Sequence, residues 1–190
     1  MAIEPATGGD WSELTARRAT VLLLTGRPGV GKTTVVRRVA EKLEPRPAGF
    51  YTEEVREMGE RRGFRAVTFD GEASMIADVD FGGTSRVGRY GVDVAAIDRL
   101  ADTALQPRRD NTVFIIDEIG RMECLSARFV EAAQTLLDAG RLVVATVGQR
   151  GSGFIADVKR RTDAELWDVT RQNRDEIPAR VLAWIAARTG

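Results

Sequence analysis

The sequence predicts an α/β protein: a doubly wound, mostly parallel sheet covered by helices on both faces. Three observations carry that expectation. Apolar runs in Ala19–Gly26, Val113–Ile116 and Arg141–Gly148 have the length and composition of strands buried on both sides. Helical spacings of apolar residues follow, as in Val35, Val36, Val39, Ala40 and Leu43. The first apolar run also feeds directly into a glycine-rich turn, TGRPGVGKTT, that opens a helix.

The elements are read in order. The strand Ala19–Gly26 and its helix end near Glu44-Pro45, where proline cannot continue a helix. AGFYTEEV is a second strand, and REMGERRGFRAVTFDGEA reads as two short extended runs around a polar turn, a small β-hairpin insertion. SMIADVDF adds another strand, and Phe81–Gly91 is a glycine-rich loop before a helix faced by Val94, Ile97, Ala101 and Ala104. Val113–Ile116 ends in two carboxylates. A helix with Ser126 as its N-cap and Gly140 past its end follows. RLVVATVG is a third buried strand, GFIADVKRR a short helix and AELWDVT an extended run. RDEIPARVLAWIAAR closes the chain as a helix with acidic residues in its first turn. Residues 1–18 read as a polar, poorly ordered lead-in, and residues 19–190 as a single domain.

Composition narrows the chemistry. The formal net charge is +0, with 28 basic and 28 acidic residues, so no strong nucleic-acid footprint and no attraction to an anionic membrane is expected. No apolar run approaches the roughly 20 residues of a membrane span. There is no histidine, which removes Ser-His and Cys-His pairs and histidine metal sites, and leaves carboxylate, lysine or water as general base. A lone cysteine, Cys124, allows no internal disulfide, and a cytoplasmic location is the expectation.

The turn Gly26-Arg27-Pro28-Gly29-Val30-Gly31-Lys32-Thr33 fits G-x-x-x-x-G-K-[ST] without a gap, and Thr34 follows it. Glycines let successive N–H groups point inward at phosphate oxygens. The helix start adds its positive end. Lys32 supplies a mobile cation for β- and γ-phosphates, and the Thr33 hydroxyl is a hard oxygen ligand suited to Mg²⁺. The motif serves ATPases, GTPases and small-molecule kinases alike.

VFIIDEIGRME supplies a second element. Asp117, at the carboxyl end of a buried strand, is the expected partner of Mg²⁺. Glu118 beside it can take a proton from an attacking water. Asp117 to Gly120 also spells D-x-x-G, a GTPase cue, but no asparagine-lysine element for reading guanine accompanies it.

The segments TGRPGVGKTT, GFYTEEVRE, VGRYGVDV, IDEIGRME, VKRR and VTRQNRDEIP, in this order, resemble the THEP1 family of nucleoside-triphosphatases from about Thr20 to the last helix. That resemblance implies slow, Mg²⁺-dependent hydrolysis of several nucleoside triphosphates, ATP and GTP among them, on a RecA-like or AAA-like P-loop sheet. It maps phosphate binding to Gly26–Thr33 and the metal and catalytic carboxylates to Asp117 and Glu118. The chain departs from the family pattern at Arg121, at Cys124 and in GQRGSGF, where the family often has a histidine-proline pair.

Phosphoryl transfer calls for a cation on the γ-phosphate. Arg56, in TEEVRE, and Arg89, in RVGRYG, are the candidates, with Arg121 near the carboxylates; each taken singly reads more readily as a surface or structural ion pair. Glu53 and Glu54 are candidate outer partners of the metal, and Asn173 and Arg174 candidate borders of a base or caps of the last helix. The expected activity is hydrolysis of nucleoside triphosphates to diphosphate and phosphate. The alternatives are a nucleotide or polynucleotide kinase, with Arg150, Arg160 and Arg161 serving a lid, and a regulatory module with slow hydrolysis.

Overall fold

The computed structural model describes residues 18–106 and 113–189. The expected lead-in therefore falls, up to residue 17, outside the described residues. Arg18 donates to the Ala187 carbonyl at 2.6 Å and Arg188 to that of Ala19, so the start of the described chain is tied to the end of the last helix.

Among the described residues the strands are β1 (Val21–Thr25), β2 (Ala48–Glu57), β3 (Glu60–Thr68), β4 (Ala73–Asp78), β5 (Arg86–Val87), β6 (Tyr90–Val92), β7 (Val113–Ile119), β8 (Leu142–Val147) and β9 (Ala164–Asp168). The helices are α1 (Lys32–Ala40), α2 (Val94–Ala104), α3 (Ala127–Asp138), α4 (Phe154–Lys159) and α5 (Ile177–Thr189). The strands form one sheet in the order β5-β6-β4-β3-β2-β7-β8-β1-β9. From β2 to β9 every neighbouring pair is parallel, and from β2 to β5 every pair is antiparallel.

Alternation along the strands builds two cores. Val21 and Leu23 of β1 face one side with Phe50, Ile116, Ala145 and Val147, where α2, α3 and α4 pack. Leu22 and Leu24 face the other with Ile115 and Val144, against Val35, Val36 and Val39 of α1 and Val181, Trp184 and Ile185 of α5. Successive side chains on opposite faces are the reason one apolar run can serve both layers. This is the doubly wound sheet the sequence predicts. The hairpin is larger than the expected insertion, because β2 is its first arm. β2 pairs with β7 through Ala48–Phe50 and then runs on to Glu57 against β3, so the antiparallel half continues the main sheet. Met58 and Gly59 turn it with positive φ at both positions, as a two-residue hairpin loop requires.

Helix ends follow from local chemistry. Asp93 caps α2 by accepting from the Ala96 N–H at 2.9 Å, and Ser126 caps α3 by accepting from the Phe129 N–H at 2.9 Å, as predicted. α5 starts at Ile177, one residue after Glu176, so its acidic residues precede the first turn instead of occupying it. Among the described residues no helix is long and apolar enough to cross a membrane.

The parallel contact of β2 with β7 depends on Gly49. Its φ is +105°, and a Cβ there would stand 1.9 Å from the Ile115 carbonyl oxygen. Gly49→Ala adds both a backbone clash and left-handed strain, and is expected to cost at least about 2 kcal/mol. A urea midpoint lowered accordingly, with an unchanged slope, checks this; a midpoint equal to that of the parent chain would contradict the packing described.

Candidate active site

The carboxyl ends of β1, β7 and β8 and the start of α1 meet at one edge of the sheet. Gly31 precedes α1 with φ +110°, a conformation open to glycine, and no side chain caps the helix. The first N–H groups of α1 therefore face the loop without a side-chain acceptor, which is the arrangement that binds anions. Arg27, Pro28 and Gly29 are exposed at the loop crest, Val30 is buried beneath, and Thr34 is exposed on α1. Lys32 is 9% exposed; its Nζ donates to the Gly26 carbonyl at 3.3 Å and lies 4.0 Å from Glu118 Oε2.

Asp117 is 1% exposed. Its Oδ2 accepts from the Thr52 N–H at 3.2 Å and the Thr52 hydroxyl at 3.3 Å, and its Oδ1 from the Thr146 hydroxyl at 2.9 Å. The Thr33 side chain also hydrogen-bonds to it. Burial pushes the Asp117 carboxyl above its ordinary range, and these donors oppose the shift. The peptide bond joining Asp117 to Glu118 is cis. Glu118 is 35% exposed and is likewise pushed up by burial, with Lys32 and Lys159 pulling down and Asp117 pushing further up.

Glu123 is a third carboxyl beneath this pair. It is 5% exposed, in the short 3-10 turn Glu123–Leu125 after β7, and accepts from the N–H groups of Gly120 and of its own residue. Burial, together with the charges of Glu118 and Asp117, pushes it up to about 8, so it is mostly neutral at pH 7. Gly120 is held directly over it: a Cβ there would lie 2.8 Å from Glu123 Oε2.

The other sequence candidates are placed elsewhere. Arg56 binds Glu54 at 2.6 Å and the Gly59 carbonyl at 3.0 Å on the β2–β3 hairpin. Arg89, in the β5–β6 hairpin at the edge of the sheet opposite β1, donates to the Arg61 carbonyl and lies over the Tyr90 ring. The structure thus gives both arginines partners away from the phosphate loop. Arg121 is exposed just past Gly120. Glu53 pairs with Arg37 and Arg65, and Glu54 with Arg56 and Arg61. Arg160 is bound to Asp157, and Arg161 to Asp138 and Asp163. Asn173 closes a turn on Thr170 and Asp168, whereas Arg174 donates to the Val30 carbonyl at 3.4 Å, against the phosphate loop.

Sequence reasoning missed Thr52, Thr146, Glu123 and Lys159. Thr146 had a signal: it is the one polar residue in the strand LVVATV. Glu123, a single acid between Met122 and Cys124-Leu125, had a similar signal, whereas Thr52 opens the polar run Thr52–Glu54 and had none.

Beside the phosphate loop lies a cavity of about 520 Å³, lined by Arg27–Val30 on one side and Gln149 and Asp168–Gln172 on the other. It opens where β8 and β9 leave the sheet.

The family described as NTPase matches residues 21–182. The nucleoside-triphosphatase THEP1 of Thermotoga sp. strain RQ2 is 36% identical over 170 residues, 89% of this chain and 97% of that protein. The crystal structure of THEP1 from the hyperthermophile Aquifex aeolicus is similar with a TM-score of 0.79 at 37% identity, covering 87% of this chain and 98% of that one. The solution structure of a human cancer-related nucleoside triphosphatase gives 0.74 at 31% identity, covering 87% and 97%.

Glu123 makes a prediction about pH. Its folded pKa, about 8, exceeds the ordinary 4.5, so its contribution to stability is complete below pH 4.5 and is lost as pH rises toward 8. One such group changes stability by at most about 1.4 kcal/mol per pH unit. Glu123→Gln should therefore flatten the fall in stability of the nucleotide-free protein between pH 5 and 8. Melting temperatures of both proteins across that range decide it; parallel curves would show that Glu123 is charged throughout.

Proposed function

The chain belongs to the THEP1 family of nucleoside-triphosphatases, and from that membership we propose that this edge of the sheet cleaves the terminal phosphoanhydride of an Mg²⁺-bound nucleoside triphosphate, with Glu118 as general base. The observation that carries the reading is the meeting of Lys32, Thr33, Asp117 and Glu118 at the uncapped start of α1.

In this reading the backbone of Gly26–Thr34 and the start of α1 hold the phosphates. Lys32 leaves the Gly26 carbonyl, a neutral acceptor, for the anionic β- and γ-phosphates, a stronger partner. Glu118, on the solvent side of Asp117, accepts the proton of the attacking water; its raised proton affinity brings it nearer the ideal for a base at neutral pH. Asp117 and Thr33 fit a divalent cation. They offer hard oxygens from two facing elements, and Asp117 is a buried acid whose donors are all neutral. A Mg²⁺ held by Asp117 and Thr33 would supply charge neutralisation for the phosphates.

The nucleoside end is assigned to the 520 Å³ cavity. Its rim carries long, flexible groups exposed to solvent, Arg27, Gln149, Arg171 and Gln172. Such groups adapt to several bases, so discrimination is modest. A cytoplasmic location, where Cys124 stays reduced, accords with this substrate class.

Single-turnover hydrolysis with ATP, GTP, CTP and UTP, run beside direct binding, tests the reading. Glu118→Gln keeps the reach of the side chain but loses its basicity. Its hydrolysis rate should fall by about 10²–10⁴, roughly 3–5 kcal/mol of transition-state stabilisation, with nucleotide affinity held. The four wild-type rates should lie within roughly 10–200-fold of one another. Wild-type turnover in Glu118→Gln would remove Glu118 from the base role, and label transfer that needs an acceptor would favour a kinase.

A further inference from the structure

The end of α4 carries three consecutive cations, and they go three ways. Arg160 turns to Asp157. Arg161 is clamped by Asp138 at 2.7 Å, Asp163 at 2.9 Å and the Leu137 carbonyl at 3.2 Å, joining the end of α3 to the start of β9. Lys159, half buried, turns to the site edge instead: its Nζ donates to the carbonyl oxygens of Gly148 and, at 3.1 Å, of Gln149.

Those two residues form the turn that leaves β8, and the turn has two neighbours. On one side it passes close to Glu118: a Cβ on Gly148 would lie 3.4 Å from Glu118 Oε1. On the other, Gln149 lines the cavity beside Arg27–Val30. One ammonium thus holds a turn that touches both the carboxylate and the wall of the cavity. Its charge also reaches Glu118 directly, acting in the same sense as that of Lys32. Among the described residues these two lysines are the cations that act on Glu118, whereas Arg56 and Arg89 are engaged elsewhere.

We propose that Lys159 is a positioning residue for hydrolysis: by fixing the Gly148–Gln149 turn, which passes against Glu118, it sets the place of that carboxylate against the attacking water. The proposal rests on Glu118 acting on that water. A neutral side chain at 159 would leave the Gly148 and Gln149 carbonyls without this donor and let the turn move, and small displacements of a reacting group are costly in rate. Arginine would keep the charge and two or more donors, though in a fixed planar fork.

The test uses the full chain and a coupled series: Lys159→Met, Lys159→Arg, Glu118→Gln and the double variant Lys159→Met with Glu118→Gln. Single-turnover hydrolysis of ATP with Mg²⁺ and binding of a fluorescent triphosphate are measured for each, after a melting curve. Lys159→Gln replaces Lys159→Met if the latter melts below assay temperature. Lys159→Met should slow hydrolysis by about 10²-fold with little change in affinity, and Lys159→Arg should recover most of the rate. In the Glu118→Gln background Lys159→Met should add almost nothing, because a residue that acts through Glu118 has nothing left to act on. Arg160→Met, an exposed neighbour on the same helix, should hydrolyse like the parent. A wild-type rate in Lys159→Met, or the same fold-loss in both backgrounds, would overturn the proposal. Wild-type turnover in Glu118→Gln alone would instead overturn the reading on which it rests.

Discussion

Asp117 sits with 1% of its surface exposed and, among the described residues, accepts hydrogen bonds from hydroxyl and amide groups alone, so a charge on it would have no cation paired with it there. A buried carboxylate in that position is costly unless it is well hydrogen-bonded or meets a counter-ion. The chain meets the first condition by bringing donors from three elements: Thr33 from α1, Thr52 from β2 and Thr146 from β8. Each donor is neutral, so the arrangement steadies the carboxylate without cancelling its charge. It leaves the Asp117 carboxyl facing the phosphate loop with no cation paired to it among the described residues, a place that a nucleotide-bound Mg²⁺ would fill.

The sheet order makes this possible. β8 lies between β1 and β7, so the strand that ends in the phosphate loop and the strand that ends in Asp117 and Glu118 are not neighbours. The gap of one strand puts Thr146 beside Asp117 and runs the Gly148–Gln149 turn past Glu118. β2 closes the other flank with Thr52 and owes its close approach to β7 to Gly49. Below the pair, Glu123 accepts from the Gly120 N–H and is mostly neutral at pH 7. A third charge there would repel the other two.

The parts of the site that are contiguous in sequence were legible in it. Gly26–Thr34 and Asp117–Glu118 are local motifs whose residue types follow from the chemistry of phosphate and metal, and both fall at strand ends as predicted. The two-faced sheet was legible too, because apolar runs and helical spacings report burial directly. The cations were not. An arginine reports its charge but not its partner, and Arg56 and Arg89 find theirs in neighbouring hairpins that composition does not reveal. Lys159 was hidden in VKRR, where three like charges differ only in the direction the helix end gives them. The full reach of the antiparallel half was hidden as well, since a strand that is parallel at one end and antiparallel at the other reads in sequence as a strand followed by a hairpin.

The claim that Asp117 is kept charged for a nucleotide-bound cation is tested most directly by thermal stabilisation with a non-hydrolysable triphosphate, in the presence and absence of Mg²⁺, for the parent chain and Asp117→Asn. Ligands that bind the folded state raise its melting temperature, by an amount that grows with the logarithm of their concentration over Kd. The parent should gain a clear further increment when Mg²⁺ accompanies the triphosphate, and Asp117→Asn should lose that increment while keeping the part due to the triphosphate alone. An increment from Mg²⁺ equal in the two proteins would contradict the account.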